Sequence, residues 1–215
     1  MQILFGTTNK AKLDFIRDCL TCFDSLEIIG LRALDLDLTK VKIDENGKDP
    51  LENAGIKANT YYDLLQSNNI DIPVFSCDSG LFIAGLPDNL QPGTHVRNVN
   101  DKYLSDDEML DYYANIAKNM GGQMTAQYRN AICLVMTKDG EKKIYEHIGD
   151  DIDGNTFIIS QTPHIKRTPG FPIDSLSIEI NSGKYYFDLG TDFVSEADIY
   201  TGYKHFFAKV FDLTV

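Results

Sequence analysis

The stretch Pro73-Val74-Phe75-Ser76-Cys77-Asp78-Ser79-Gly80-Leu81 decides how this chain is organised. Its first three residues predict a short buried strand, and residues 77 to 80 predict a turn at the end of that strand. In an open α/β sheet, ligands bind beyond the carboxyl ends of the strands, where an acidic residue is well placed for a metal ion or a proton transfer. Asp78 is therefore the first catalytic candidate. The alternative is an ordinary turn whose aspartate caps its own backbone.

The composition is typical of a soluble globular protein, with 43% hydrophobic and 24% charged residues in a chain of 215. This length accommodates one large α/β domain or two lobes that share a cleft. The net charge of −12 argues against a general binder of nucleic acid or membrane surfaces, because phosphates and anionic lipids repel an acidic protein. A small anionic substrate would need local lysines or a divalent cation.

The lack of a recognisable targeting signal and the scattered cysteines predict a cytoplasmic protein. The first residues have no basic start, and no segment approaches the roughly 18 apolar residues of a membrane-spanning helix. The four cysteines are scattered, which suits a reducing compartment. Cys19 and Cys22 form a C-x-x-C pair, for which two half-buried helical cysteines are favoured over a metal or redox site.

The N-terminal region predicts an anion site. Residues 2 to 6 predict a strand, and Leu13, Ile16 and Leu20 recur at helical spacing. Between them, Gly6-Thr7-Thr8-Asn9-Lys10-Ala11-Lys12 places hydroxyls, an amide and lysines at a helix N-terminus, whose free N–H groups favour an anion. Neither a Walker A loop nor a G-x-G-x-x-G pattern is present. A capped helix start explains the same residues equally well.

A second informative stretch begins at Glu45. Asp49 predicts a helix N-cap and places Glu52 at the third helical position, which is a capping-box arrangement. Asn53 and Lys57 lie four residues apart and therefore share a helix face. An acid, an amide and a lysine at a helix start suit a magnesium–phosphate site. For Glu52, the role of helix cap is an equally good interpretation.

The remaining elements follow from periodicity and capping signals. The predicted strands cover residues 26–30, 33–43, 81–86, 124–137 and 142–148, with a hairpin over 175–187. The predicted helices run from Asp49 to about Ser67, from Ser105 to Met120, and over 198–212.

Four residues outside these stretches are candidate substrate contacts. Arg97 lies in a polar segment and is interpreted either as a solvated arginine or as a phosphate contact. Phe171 and Asp174 lie on a Gly/Pro-rich loop, where an aromatic beside an acid can stack on and hydrogen-bond a purine base. A buried loop anchor is the alternative for the phenylalanine. His205 lies on the last helix, where a surface or hydrogen-bonded histidine is the commoner role.

These stretches resemble, in chain order, the motifs of the inosine/xanthosine triphosphate pyrophosphatases. Thr7-Thr8-Asn9 with Lys12 resembles T-G-N-x-x-K, with Thr8 in place of glycine. Residues 45 to 58 resemble E-x-G…E-N-A-x-x-K-A, and residues 77 to 81 resemble D-D-S-G-L; these two matches are the specific ones. Residues 92 to 97 resemble P-G…A-R, and residues 170 to 174 resemble the start of G-F-G-Y-D-P.

The resemblance implies an elongated mixed α/β sheet flanked by helices, as one domain over residues 1–215 whose two lobes surround a central nucleotide cleft. It implies a homodimer that uses Mg²⁺ to hydrolyse purine nucleoside triphosphates to monophosphate and pyrophosphate, in nucleotide-pool sanitation. No nucleic-acid polymer and no membrane is expected as a partner.

The resemblance also implies residue roles. Asp78 would be the general base, and Glu45 and Asp78 would be magnesium ligands with Glu52 in support. Asn9, Lys12 and Lys57 would contact the triphosphate. The other expected substrate contacts are Thr7, Thr8, Ser79, Arg97, Phe171, Asp174 and His205.

Besides Thr8, five positions depart from the family motifs. Cys77 replaces the first acid of D-D-S-G-L, which removes one potential metal ligand. Phe206 replaces the arginine after His205, Tyr200 replaces a lysine, and Pro172-Ile173 replaces Gly-Tyr. Because the family reads the 6-oxo purine edge with such residues, an altered or relaxed base preference is expected. The alternatives are a nucleotide-binding protein that has lost catalysis, and a hydrolase of another phosphorylated metabolite.

Overall fold

The computed structural model describes residues 1–34, 36, 38, 41–100, 102–190 and 199–214. Within this part of the chain the α-helices are α1 (Lys10–Cys19), α2 (Pro50–Ser67), α3 (Asp106–Asn119) and α4 (Ile199–Phe211). The strands are β1 (Gln2–Phe5), β2 (Glu27–Gly30), β3 (Val74–Ile83), β4 (Asn98–Val99), β5 (Lys102–Tyr103), β6 (Gln123–Lys138), β7 (Glu141–Ile148), β8 (Phe157–Ser160) and β9 (Ser177–Glu179). The predicted mixed α/β class is confirmed.

The main sheet combines parallel and antiparallel pairs, in the order β2-β1-β3-β6-β8-β9, with β7 also paired to β6. The first strand, β1, runs parallel to both neighbours, and Leu4 pairs with Ile29 on one side and Val74 on the other. The β6–β7 hairpin turns at Asp139-Gly140, where both residues have positive φ. This conformation matches the twist of the two strands in a tight hairpin.

The chain divides into two compact units. The first contains the described residues of 1–79, 129–153 and 198–215, and the second those of 80–128 and 154–197. The chain leaves the first unit within β3, directly after Ser79, and returns to it within β6.

The core of the first unit lies on both faces of β1 and β3. On one face the Phe5 and Phe75 rings stack with centroids 4.5 Å apart, and Phe207 of α4 meets Phe75 edge-on at 5.0 Å. On the other face, Leu4 and Val74 pack against α2 in a separate cluster. Burial on both faces is typical of parallel strands and explains their nearly continuous apolar sequence.

The second unit has its own core, in which α3 packs with the end of β3 and with β8. Tyr113 of α3 is fully buried, and its hydroxyl donates a 2.8 Å hydrogen bond to the carbonyl of Val96. This bond satisfies the polar end of the ring and fixes the loop before β4.

The predicted turn at residues 77 to 80 is wrong, because the two predicted strands are one continuous β3. Leu81 exchanges two backbone hydrogen bonds with Gly93, and both Leu81 and Ile83 are buried. A Cβ on Gly80 would lie 3.0 Å from the carbonyl carbon of Gly93. Glycine is therefore needed at position 80 for close approach of two backbones and not for a turn.

Other sequence predictions hold to differing degrees. The three predicted long helices and the β6–β7 hairpin are confirmed. The predicted 175–187 hairpin is present in a short form, in which Ile178 and Tyr185 form an antiparallel bridge and the Glu179 N–H donates to the Lys184 carbonyl at 2.8 Å. The four-residue strand β8 was not predicted. The predicted strand over 33–43 includes residues 35, 37, 39 and 40, which lie outside the described residues.

The C-x-x-C thiols differ in environment. Cys19 is buried at the end of α1, whereas Cys22 is exposed, and both are free. One thiol is therefore fully buried and the other is not, in place of the predicted half-buried pair. Among the described residues, no helix is both long and apolar enough to cross a membrane.

Replacement of Gly202 on α4 by alanine is expected to destabilise the protein by about 1–3 kcal/mol. The new Cβ would overlap the backbone carbonyl oxygen of Asp151 and lie 2.6 Å from its carbonyl carbon. Gly55→Ala on α2 is the matched control, because nothing lies within 4 Å of its added Cβ. Urea unfolding of both variants measures the difference, and the control is expected to gain roughly 1 kcal/mol from helix propensity. Equal effects of the two substitutions would contradict the predicted overlap.

Candidate active site

Asp78 lies within β3, and strand alternation decides what surrounds it. Ser76 and Asp78 point to the α2 face, whereas Phe75 and Cys77 belong to the core on the opposite face. The Asp78 residue is only 7% exposed. A carboxylate with so little access to water needs polar partners, because burial of an unpaired charge is costly.

Helix α2 supplies two of these partners from one face. The ammonium of Lys57 donates to Asp78 Oδ1 at 2.7 Å, and the amide of Asn53 donates to Oδ2 at 3.2 Å. The Asn53 carbonyl oxygen in turn accepts the backbone N–H of Gly47 at 2.8 Å, which fixes the orientation of the amide. The predicted common face of Asn53 and Lys57 is confirmed.

A second carboxylate shares the same ammonium. Lys57 Nζ lies 2.8 Å from Glu45 Oε2, so one lysine holds both Glu45 and Asp78. Burial lowers the pKa of Lys57, but its hydrogen bonds and charge interactions with Asp78 and Glu45 outweigh that effect and raise the pKa above its ordinary value. The lysine is therefore charged at neutral pH. We call Glu45, Asn53, Lys57 and Asp78 the carboxylate cluster.

Glu52 acts as a helix cap in this structure. Asp49 Oδ1 accepts the Glu52 backbone N–H at 2.9 Å, and Glu52 Oε2 accepts the Lys48 backbone N–H at 2.8 Å. The predicted cap is confirmed. Glu52 directly precedes Asn53 and so lies beside the carboxylate cluster. Its described hydrogen bonds are made with Lys48 and Asp49 at the helix start.

The turn after β1 lies at the same sheet edge as Asp78, because β1 and β3 are parallel neighbours. Gly6 makes this approach possible, since an added Cβ would lie 2.6 Å from both Ser76 Oγ and the Tyr61 ring. Asn9 caps α1, with its Oδ1 accepting the Lys12 backbone N–H at 3.2 Å. The predicted polar turn at a helix N-terminus is therefore present.

A cavity of about 480 Å³ opens at this turn. Thr7, Thr8, Asn9, Arg17 and Tyr61 are among its lining residues. Desolvation, and next the charge of Glu45, raise the pKa of Tyr61. Tyr61 is thus close to both the cavity and the carboxylate cluster.

Cys77, Ser79 and Lys12 belong to the other side of β3. Burial raises the pKa of Cys77 to about 12, an effect that the charge of Lys12 and a hydrogen bond with Tyr203 oppose. Ser79 is half-buried, and strand alternation places it on the same face as Cys77. The Cys77 side chain therefore points away from the carboxylate cluster.

The C-terminal positions differ in exposure. His205 is exposed on α4, and no described contact joins it to Asp78. Phe206 is 7% exposed and meets the Phe207 ring edge-on with centroids 5.4 Å apart. This residue therefore serves the core. The side chain of Tyr200 lies outside the described residues.

Arg97, Phe171 and Asp174 lie in the second unit. Arg97 is engaged by protein partners, including Asp106 at 2.7 Å and the carbonyl of Gly170 at 3.0 Å. Phe171 is 53% exposed, so the alternative of a buried loop anchor is wrong. Partial desolvation raises the pKa of Asp174, against a hydrogen bond from Thr168.

A divalent cation fits the carboxylate cluster by its donor chemistry. The described residues contain no group of three acidic, histidine or cysteine side chains arranged to hold a metal. Mg²⁺ rarely needs such a group, since it is usually bound by one or two carboxylates, with substrate phosphates and water completing an octahedron. Glu45 and Asp78 supply two carboxylates, the number that this mode uses, and in this structure both accept hydrogen bonds from Lys57.

The N-terminal turn and the carboxylate cluster lie within a segment that matches a known family. The sequence pattern of the Ham1 family covers residues 3–156. The chain belongs to the Ham1 family. The resemblance stated above from the motifs is thereby confirmed. Phe171, Asp174 and His205 lie beyond the matched segment.

Individual Ham1 relatives extend the match. The dITP/XTP pyrophosphatase of Hydrogenobaculum sp. (strain Y04AAS1) is 26% identical over 176 residues, covering 72% of this chain and 79% of the relative. That of Borreliella burgdorferi (strain ZS7) is 28% identical over 191 residues, covering 85% and 82%. The solved structure of the Staphylococcus aureus Ham1 protein is 19% identical, with a TM-score of 0.68 over 98% of this chain and 100% of that one. The Ham1 fold is therefore shared.

Contacts of three residues at this site were not predicted. Asn53 is expected from the sequence as the amide of a magnesium–phosphate site, but its hydrogen bond to Asp78 is not. Tyr61 follows Lys57 by four residues, so helical spacing was a usable signal. Tyr203 contacts Cys77 across more than a hundred residues, and nothing local predicts that pair.

Replacement of Lys57 by methionine is expected to destabilise the protein by about 3 kcal/mol at pH 7, because it leaves a buried carboxylate without its counter-charge. The Lys57 and Asp78 side chains are only 12% and 10% exposed. Denaturant unfolding at pH 7 measures this loss.

Lys142→Met is the control, since Lys142 pairs at 2.8 Å with Asp63 at the surface. A loss within roughly 1 kcal/mol is expected there. Adding Asp78→Asn to Lys57→Met should recover much of the stability. A double variant no more stable than Lys57→Met would show that the carboxylate charge is not the cause.

Proposed function

We propose that this chain hydrolyses purine nucleoside triphosphates to a monophosphate and pyrophosphate, with a base preference altered from that of its relatives. The observation that carries the proposal is the carboxylate cluster, in which Asp78 is held by Lys57 and Asn53 with Glu45 on the same ammonium. Two Ham1 relatives of this chain are named dITP/XTP pyrophosphatases. The proposed cellular role is removal of damaged purine nucleotides.

In this proposal Asp78 is the general base. Its carboxylate accepts a proton from water, the water oxygen bonds to the α-phosphorus, and the bond from that phosphorus to the bridging oxygen breaks. The electron pair leaves with pyrophosphate. The orienting bonds from Asn53 and Lys57 support this role, because a base must be held in line with the attacking water.

Glu45 and Asp78 are the proposed Mg²⁺ ligands, with Glu52 in support from the adjacent helix start. A bound Mg²⁺ would offset phosphate charge and lower the pKa of water at the site. In an acidic protein this charge compensation matters, since the net charge of −12 otherwise opposes a triphosphate.

The proposed triphosphate contacts lie around the sheet edge. Asn9 and the hydroxyls of Thr7 and Thr8 lie at the N-terminus of α1, where the helix dipole favours an anion. Lys12 and Lys57 supply charge from opposite faces of β3, and the Ser79 hydroxyl supplies a donor on the Lys12 face.

The proposed base contacts are Phe171, Asp174 and His205, with Arg97 in support through its bond to Gly170 beside Phe171. The family arginine position is occupied by Phe206, which packs in the core and offers no donor to a 6-oxo group. Loss of a donor from a hydrogen-bonding pocket changes selectivity strongly. We therefore propose relaxed discrimination among purines.

The wider proposals concern assembly and context. We propose that the two units are lobes of one catalytic domain and that the protein is a cytoplasmic homodimer without a nucleic-acid or membrane partner. These proposals rest on the family resemblance and the acidic composition.

Pyrophosphate release in the presence of Mg²⁺ tests the function. We expect release from one or more of inosine, xanthosine, deoxyinosine and common triphosphates, and a loss of kcat of at least about 100-fold in Asp78→Asn. Asp63→Asn, which removes an exposed carboxylate from the same helix α2 that holds Lys57, should retain full activity. No release from any triphosphate, with nucleotide binding intact, would favour the binding-protein alternative. Release of orthophosphate from another phosphorylated metabolite would favour the remaining alternative, a hydrolase of that metabolite.

Metal binding is tested separately from catalysis. Glu45→Gln removes one charge from the carboxylate cluster and should weaken Mn²⁺ binding, measured by electron paramagnetic resonance without substrate, by at least about tenfold. Glu141→Gln, an exposed glutamate on β7, is the control. Unchanged Mn²⁺ affinity in Glu45→Gln would exclude Glu45 as a ligand.

A further inference from the structure

A single glycine before the exposed Phe171 is held on both sides of its backbone. The Gly170 N–H donates to Asp106 Oδ2 at 2.7 Å, and the Gly170 carbonyl accepts from Arg97 Nη2 at 3.0 Å. Arg97 Nη1 donates to Asp106 Oδ1 at 2.7 Å, which closes a ring of three hydrogen bonds. We call Arg97 and Asp106 the glycine clamp.

The glycine clamp is itself held by the second unit. Arg97 Nη1 also donates to the Leu104 carbonyl at 3.1 Å, and the Tyr103 ring lies 5.6 Å from the guanidinium carbon. Asp106 is the first residue of α3, where the helix dipole favours a carboxylate. The hydrogen bond from Gly170, and next that from Arg97, lower the pKa of Asp106. The clamp therefore stays ionised at neutral pH.

The clamp fixes a loop whose aromatic ring is left in water. Gly170 has φ of +84°, and the Phe171 N–H donates to the Thr168 carbonyl at 2.9 Å. Phe171 is 53% exposed, while the next residues, Pro172 and Ile173, are buried. The backbone on both sides of the ring is thus anchored, yet the ring contributes little to the core.

An exposed aromatic on an anchored backbone is suited to stacking on a planar ligand. A side chain held near its bound position loses less freedom on binding than one on a mobile loop. Phe171 is 53% exposed, so its ring can contact a ligand while the backbone stays anchored.

We propose that Arg97 and Asp106 are positioning residues that hold Gly170 so that the Phe171 ring is preset to stack on the substrate base. This inference rests on the proposed function, because it requires a substrate with a planar base. Arg97 then acts through the loop backbone, and not by a direct bond to phosphate.

The clamp is tested first without substrate. The chain contains no tryptophan, so Phe171→Trp introduces a single reporter indole. Adding Asp106→Asn replaces the oxygen that accepts the Gly170 N–H. The indole should then move more freely, with a lower fluorescence anisotropy and with acrylamide quenching raised at least about twofold. Asp107→Asn is the matched control, with the same charge change one residue along α3. Equal anisotropy in both double variants would overturn the clamp.

The second measurement tests whether the clamp serves binding. In the chain with Phe171, Asp106→Asn should raise KM for the preferred triphosphate about tenfold and change kcat less than twofold, because stacking is made equally in the ground and transition states. Arg97→Lys keeps the charge but loses the fork of donors, and should act in the same direction. A kcat loss with unchanged KM would overturn the positioning role.

The proposed function and the clamp fail in distinguishable ways. If no triphosphate is hydrolysed, quenching of the introduced indole by the nucleotide gives a dissociation constant for each variant. Weaker binding in Asp106→Asn than in Asp107→Asn supports the clamp even then. Equal dissociation constants in the two variants would overturn it, whether or not hydrolysis occurs.

Discussion

The buried charge of Asp78 is the constraint on which the site depends. The carboxylate and the ammonium of Lys57 are both nearly removed from water, and their 2.7 Å contact compensates for the desolvation of each. Because Lys57 and Asn53 come from one helix, the start of α2 must lie against β3. The capping residues at that helix start therefore support the site as well as the helix.

Local signals predicted the parts of this arrangement that local chemistry determines. Asp49 caps α2, and the four-residue spacing brings Asn53 and Lys57 to one face, because both effects depend on residues within one helical turn. The strand β1 and the capped start of helix α1 that follows it were also predicted. The mixed α/β class was implied by the family resemblance, and the predicted strands and helices agree with it.

Contacts between distant residues account for what the sequence did not predict. The Asp-Ser-Gly triplet has the composition of a turn, but pairing of Leu81 with Gly93 extends the strand through it. In this extended strand, residues 77 and 78 point to opposite faces. The side chain at position 77 therefore does not lie on the face that carries Asp78. Likewise, the polar segment around Arg97 predicts a solvated side chain, but Arg97 bonds to Leu104, Asp106 and the distant Gly170.

The position of Cys77 has a consequence for redox chemistry. Thiolates, and not thiols, react with peroxides and disulfides, and a pKa of about 12 leaves only about one thiol in 10⁵ ionised at neutral pH. Cys133 is buried with a similarly raised pKa. The strand that carries Asp78 thus has, next to the proposed catalytic carboxylate, a thiol that reacts poorly with oxidants. Oxidative damage would instead begin at the exposed Cys22.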